Sequence, residues 1–182
     1  MLGLMHDHPY VFTPTIAKIM LPVWVCLLVS TVRAIRRDMK KEKAPLGLYI
    51  HIPFCCQKCA YCDFYSLPSR EDKMDAYTDA LIRHIREVAP RTESHRVDTV
   101  YFGGGTPSYL GAERLRSILR AVMKGCPVTR DAEITLEANP DSAGDWKALR
   151  ALRRCGFNRI SLGMQSACDE ELRTIGRVHT ME

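Results

Sequence analysis

Val97-Asp-Thr-Val-Tyr-Phe-Gly-Gly-Gly-Thr-Pro107 is the stretch that decides the fold. Val97–Phe102 reads as a strand, rich in β-branched and aromatic residues and closed by a glycine run. A helix follows over Ala112–Lys124, with Leu115, Ile118, Leu119 and Val122 on one face and Gly125 as its C-cap. Working outward, the same strand-then-helix unit recurs. Leu46–Ile52 reads as a strand and Ser69–Ala89 as a helix. Ser69 with Asp72 gives that helix a capping signal, Met74, Tyr77, Leu81, Ile85 and Val88 share a face, and Pro90 stops it. Glu133–Glu137 is a third strand. Asp141 then caps a helix carrying Trp146, Leu149 and Leu152 and closed by Gly156. Phe157–Leu162 is a fourth strand and Cys168–Ile175 a short fourth helix. Four β/α units imply an α/β protein with a parallel sheet, either open or part of a barrel. In both cases ligands gather at the carboxyl ends of the strands.

The chain has 182 residues, 46% hydrophobic and 26% charged, which excludes disordered and collagen-like classes. The net charge of +5 is local. Residues 1–45 hold seven Lys/Arg against three acids, and the remainder is nearly neutral. That distribution is not the basic face of a nucleic-acid-binding protein, so no nucleic-acid partner is expected. Ile19–Val32 is an apolar run of 14 residues interrupted by Pro22. Spanning a bilayer takes about 20. Membrane contact is therefore expected only through residues 1–38, as a surface anchor backed by Arg33, Arg36 and Arg37. The simpler reading makes Met39 the start, with 1–38 an extra segment outside the fold and 39–182 the core domain. The last helix is followed by no further strand, so the core is expected to be incomplete and the chain a fragment.

Eight cysteines are present, four of them at Cys55, Cys56, Cys59 and Cys62. A cluster this tight, directly after a strand, favours metal over a disulfide framework and a reducing, cytoplasmic compartment. The bacterial ferredoxin run fails, because Ser66 and Leu67 stand where Cys and Pro are needed. Zinc held by three cysteines and His51 is an alternative. Three thiolates on a four-iron cluster leave one iron without a protein ligand, and an open metal position is where chemistry happens. Cys56 is the spare thiol. Gly103-Gly-Gly-Thr-Pro107 offers close backbone approach and N–H groups for an anion, although a plain turn has the same composition. Glu137, ending its strand, can accept both hydroxyls of a ribose, or be an ordinary surface carboxylate. Arg159 is expected to be paired or at the rim, since an unpaired Arg is rarely buried. His179 reads as solvent-facing.

Tyr49-Ile-His-Ile-Pro-Phe-Cys55-x3-Cys59-x-Tyr61-Cys62 resembles the cluster loop of radical S-adenosylmethionine (SAM) proteins. Within them it is most similar to the group of HemW heme chaperones and HemN-type oxygen-independent coproporphyrinogen III oxidases. Gly-Gly-Gly-Thr-Pro, Glu137-Ala-Asn-Pro140 and Asn158-Arg-Ile-Ser-Leu-Gly-Met-Gln-Ser166 extend the resemblance, in order, across about residues 46–180. The resemblance implies a partial (β/α) barrel with about four of six β/α units present. It implies a 4Fe–4S cluster on Cys55, Cys59 and Cys62, whose open iron takes the amino and carboxylate groups of SAM. One electron into the sulfonium then gives methionine and a 5′-deoxyadenosyl radical. Tyr61 would border the adenine. Gly104, Gly105 and Thr106 would contact the methionine part, and Glu137 the ribose. Gln165 and Arg177 would bind SAM or a second SAM, and Tyr49 belongs to the same cofactor-binding set. Implied partners are heme or a porphyrinogen, an electron donor such as flavodoxin or ferredoxin, and a heme-recipient protein. The true oxidases carry Cys two positions after the third ligand. Phe64 stands there, as in HemW. A heme chaperone is thus the first reading, oxidative decarboxylation of porphyrinogen propionates the second, and an inactive fragment the third. The resemblance places the heme site beyond these residues, so no heme ligand is named.

Overall fold

The computed structural model describes residues 25–32, 43–143 and 146–181. Met39, proposed above as a start, lies outside them. The chain divides into two compact units, Met1–Glu42 and Lys43–Glu182. In the first, residues 25–32 are helical (α1), and the hydroxyls of Ser30 and Thr31 donate back to the Leu27 carbonyl. Among the described residues, no helix is long and apolar enough to cross a membrane.

The second unit is built on four parallel strands in the order β1 (Ala44–Ile52), β4 (His95–Gly104), β5 (Val128–Ala138) and β6 (Arg159–Leu162). Between them run α2 (Met74–Val88), α3 (Ala112–Gly125), α4 (Pro140–Ala143) and α5 (Trp146–Cys155), with α6 (Asp169–Thr174) after β6. Helix α3 packs against both α2 and α5, so the long helices form one layer on one face. That face of the sheet is apolar. Ile50, Ile52, Val97, Val100, Phe102, Ile134 and Leu136 are buried against Leu115, Ile118, Leu119 and Val122. Phe102 meets Phe157 edge to face, ring centres 5.0 Å apart. The alternate residues, Tyr49, Tyr101, Thr135 and Glu137, carry polar groups on the other face. A doubly wound sheet would need helices on both faces. One covered face and one polar face suit the wall of a barrel.

Three expectations change. Ser69 does not cap a helix. Its backbone is left-handed (φ 51°) and its hydroxyl donates to the Cys56 carbonyl at 2.9 Å, so it closes the cysteine loop. A 3-10 turn at Glu71–Lys73 leads into α2 instead. Gly125 is the last helical residue and Cys126 the cap; a Cβ at Gly125 would come within 2.9 Å of the Ala89 Cβ. Asp141 lies within α4 instead of capping the third helix, and Trp146 is 64% exposed with the Arg150 guanidinium over its ring. Arg159 is paired as expected, 3.4 Å from Glu133. Ile160 and Leu162, on the edge strand β6, are 41% and 51% exposed.

Candidate cofactor site at the strand ends

The cysteine loop is tied down at its base by backbone pairing, to which the Ser69 hydroxyl adds its bond to the Cys56 carbonyl. Phe54–Cys55 (β2) pairs in parallel with Leu67–Pro68 (β3). Leu67 N–H donates to the Pro53 carbonyl and Ser69 N–H to that of Cys55. The glycine run is then laced to the same loop, with Gly105 N–H on the Ile52 carbonyl at 2.8 Å and Thr106 N–H on that of Phe54 at 2.7 Å. The two segments approach so closely that only glycine fits at Gly105. A Cβ there would lie 2.7 Å from the Phe54 carbonyl oxygen and 2.9 Å from Cys55 Sγ. Gly105→Ala is therefore expected to destabilise the fold by about 1–3 kcal/mol through overpacking, read as a lower midpoint in urea. Gly104 has a φ of 123°, and its absent side chain leaves room for the His51 ring.

Cys55, Cys56, Cys59 and Cys62 all line one cavity of about 630 Å³ at the carboxyl ends of the strands. Tyr61, Gly104, Gly105, Thr106, Glu137, Gln165 and Arg177 line it as well. Tyr49 does not. It is exposed on β1 and stacks on Tyr101, which in turn serves Glu137. Thr106 Oγ1 donates to Cys55 Sγ at 3.7 Å, and Arg177 Nη1 to Cys59 Sγ at 3.8 Å. Hydrogen bonds to sulfur favour the thiolate, the form a metal needs. Burial pushes the Cys55 thiol up and the Thr106 bond opposes that. Among the described residues, no three His, Cys, Asp or Glu side chains converge as a cage for a single metal ion. His51, the fourth ligand of the zinc alternative, is packed under Gly104 instead.

Glu137 is held at both oxygens. The Tyr101 hydroxyl donates to Oε1 at 2.6 Å and the Gly104 N–H to Oε2 at 3.0 Å. The Tyr101 proton is in consequence held more tightly than a free phenol's. Each carboxylate oxygen keeps acceptor capacity facing the cavity. Arg177 spends Nη2 on the Asn139 Oδ1 and the Gly163 carbonyl, both at 2.8 Å, while its Nε is buried without a partner. An orphaned guanidinium N–H in a cavity fits an anionic ligand group. Gln165 sits in a left-handed conformation, φ 67°, in the cavity lining. His179 is half-buried, its Nε2 on the Met164 carbonyl, and not solvent-facing as expected.

Sequence reading gave no role to Asn139 or Tyr101. Both stand inside segments already singled out. Asn139 lies two residues beyond Glu137, the spacing that keeps side chains on one side of an extended backbone. Thiols, a glycine cradle, a carboxylate held at both oxygens and a guanidinium with one unpartnered N–H line one cavity, a donor set that fits an iron–sulfur cluster beside an amino-acid nucleoside.

The sequence matches the Radical SAM superfamily over residues 49–182. It is similar to the heme chaperone HemW of Escherichia coli, 43% identical over 138 residues, covering 74% of this chain and 36% of that protein. HemW of Mycobacterium tuberculosis is 41% identical over 140 residues, covering 75% and 35%. The mitochondrial radical S-adenosyl methionine domain-containing protein 1 of Mus musculus is 38% identical over 134 residues, covering 74% and 30%. Among solved structures, the radical SAM coproporphyrinogen III oxidase HemN of Escherichia coli aligns with a TM-score of 0.70 at 34% identity, over 78% of this chain and 32% of that one. The chain spans about a third of the length of each of these proteins. The HemN alignment identifies the one-faced sheet as part of a radical SAM β/α barrel.

Proposed function

The chain belongs to the radical SAM superfamily, and from that premise we propose that it is the cluster-bearing core of a HemW-type heme chaperone. The single observation that carries this is the shared cavity, where three thiols at the cluster spacing meet Glu137, the glycine cradle and Arg177. Cys55, Cys59 and Cys62 would hold a 4Fe–4S cluster. When bound, it supplies an electron to SAM and so gives access to radical chemistry.

The protein's own part is to bind and orient. Gly104, Gly105 and Thr106 let the methionine part of SAM approach the backbone. Glu137 accepts the ribose hydroxyls, with its orientation fixed by Tyr101 and Gly104. Arg177 offers Nε to the carboxylate, Tyr61 borders the adenine, and Gln165 lines the same cavity. Tyr49 acts one layer back, through Tyr101. Phe64, 71% exposed at the cavity, stands where the oxidases have Cys. It supports chaperone over decarboxylase. Heme is the expected cargo, flavodoxin or ferredoxin the expected electron donor and the cytoplasm the expected compartment.

The test is anaerobic reconstitution followed by equilibrium dialysis against SAM, and incubation of the loaded chain with coproporphyrinogen III, SAM, reduced flavodoxin and an electron acceptor. One SAM bound per iron-loaded chain, none by the iron-free chain and no carbon dioxide release are expected. Carbon dioxide release would replace the chaperone reading with the oxidase one. Loaded protein that takes up no SAM would overturn both.

A further inference from the structure

Two of the cavity thiols are reached by hydrogen bonds that meet at a single side chain. Asn139 Nδ2 donates to Thr106 Oγ1 at 3.1 Å, and Thr106 Oγ1 donates to Cys55 Sγ at 3.7 Å. Asn139 Oδ1 accepts from Arg177 Nη2 at 2.8 Å, and Arg177 Nη1 reaches Cys59 Sγ at 3.8 Å. We propose that Asn139 is a positioning residue that aims one donor at each of two cluster-ligand sulfurs and thereby raises the reduction potential of the cluster. The inference rests on the cluster reading above.

The direction of every bond in this relay follows from donor chemistry. Arginine has donors and no acceptor. Its Nη2 therefore requires the amide oxygen of Asn139, which turns the amide nitrogen toward Thr106. Thr106 Oγ1 receives that N–H, and its one proton is left to point at Cys55. Thr106 is buried, so water does not compete for it. On the other branch, Nη2 is held between Asn139 Oδ1 and the Gly163 carbonyl, also at 2.8 Å. That clamp fixes the guanidinium plane and presents Nη1 to Cys59. The backbone of Asn139 separately caps the α4 turn through Ser142 and Ala143. The side-chain amide is thus free for the relay. Donors on ligand sulfur stabilise the added negative charge of the reduced cluster, which raises its potential.

The experiment is a redox titration of the anaerobically reconstituted 182-residue chain, followed by electron paramagnetic resonance. Asn139→Ala and Thr106→Val are each expected to lower the potential, by about tenfold in the oxidised-to-reduced ratio at fixed poise, or about 59 mV for one electron. Thr106→Ser keeps the donor and is expected to match the wild type. Because the Thr106 branch runs through Asn139, the double variant is expected to fall by less than the two single shifts added. Should Asn139→Ala load no iron, Asn139→Asp replaces it, since a carboxylate of the same shape accepts from Arg177 but cannot donate to Thr106. A loaded Asn139 variant at wild-type potential, or fully additive shifts, would overturn the relay alone. Wild-type protein that takes up no iron would overturn the cluster reading and the relay with it.

Discussion

Cys59→Ala is expected to take the anaerobically reconstituted chain from about four irons to none. Three thiolates are the minimum that holds a four-iron cluster with one iron open, so the loss of one is not a partial effect. The loss is also one of ligation and not of folding. Cys59 contributes its carbonyl to the Cys62 N–H, a bond that alanine keeps. Its side chain is half-buried and lies outside the apolar core. The melting transition of the iron-free variant is therefore expected to match that of the iron-free wild type. Cys56→Ala is the control. Cys56 lines the same cavity, one residue from Cys55, and its carbonyl is occupied by the Ser69 hydroxyl. Iron retained in Cys56→Ala and lost in Cys59→Ala fixes the ligands as Cys55, Cys59 and Cys62. Iron lost in both variants would move the set to Cys56, Cys59 and Cys62, and unchanged iron in Cys59→Ala would refute the cluster.

How much of this was legible in the sequence depended on periodicity and on reach. β1, β4, β5, α2 and α3 have alternation or a helical stripe over many residues, and each appears over the stretch so marked, although α2 starts only at Met74 and β5 reaches back to Val128. The β2–β3 pair is two residues long, too short to have a period, and it is what recruits Ser69 away from a helix cap. Whether the sheet was open or part of a barrel turned on helices lying on one face, a contact between elements that no single stretch records. The site divides the same way. Cys55, Glu137 and the glycines announce themselves by residue type at a strand end. Asn139 does not, because its role depends on Arg177, 38 residues away, and on which end of an amide faces a donor-only group. Trp146 stands in the sequence on the same helix as Leu149 and Leu152. The ring instead lies under Arg150 at the surface, where an aromatic gains from a cation without burial.

Glu137→Gln is expected to weaken SAM binding by about 10–100-fold with the iron content unchanged, measured by anaerobic calorimetric titration. A hydrogen bond to a charged acceptor contributes about 1.5–3 kcal/mol, and each 1.4 kcal/mol is tenfold in affinity. The local geometry says why the variant should fold. Gly104 N–H can only donate, so it takes the remaining carbonyl oxygen of the amide. The amide nitrogen then faces the Tyr101 hydroxyl, which can turn from donor to acceptor. The loop is preserved, but a donor stands where a ribose hydroxyl needs an acceptor, and the charge is gone. Tyr101→Phe separates orientation from charge. It removes one bond that fixes the carboxylate and leaves the other, at Gly104, in place. A smaller loss, of about three- to tenfold, is expected there, because the carboxylate keeps its charge and its bond from Gly104 and only its orientation is loosened. Gly103 matters for the same reason, since a Cβ at that position would sit 3.0 Å from Glu137 Oε2 and 2.8 Å from the Tyr101 ring. The ordering of the two variants is the test. Equal losses would mean that Glu137 works only through the shape of the loop. Affinity unchanged in Glu137→Gln would remove the ribose from this carboxylate altogether, and iron lost along with affinity would make Glu137 a support of the cysteine loop instead of a ligand contact.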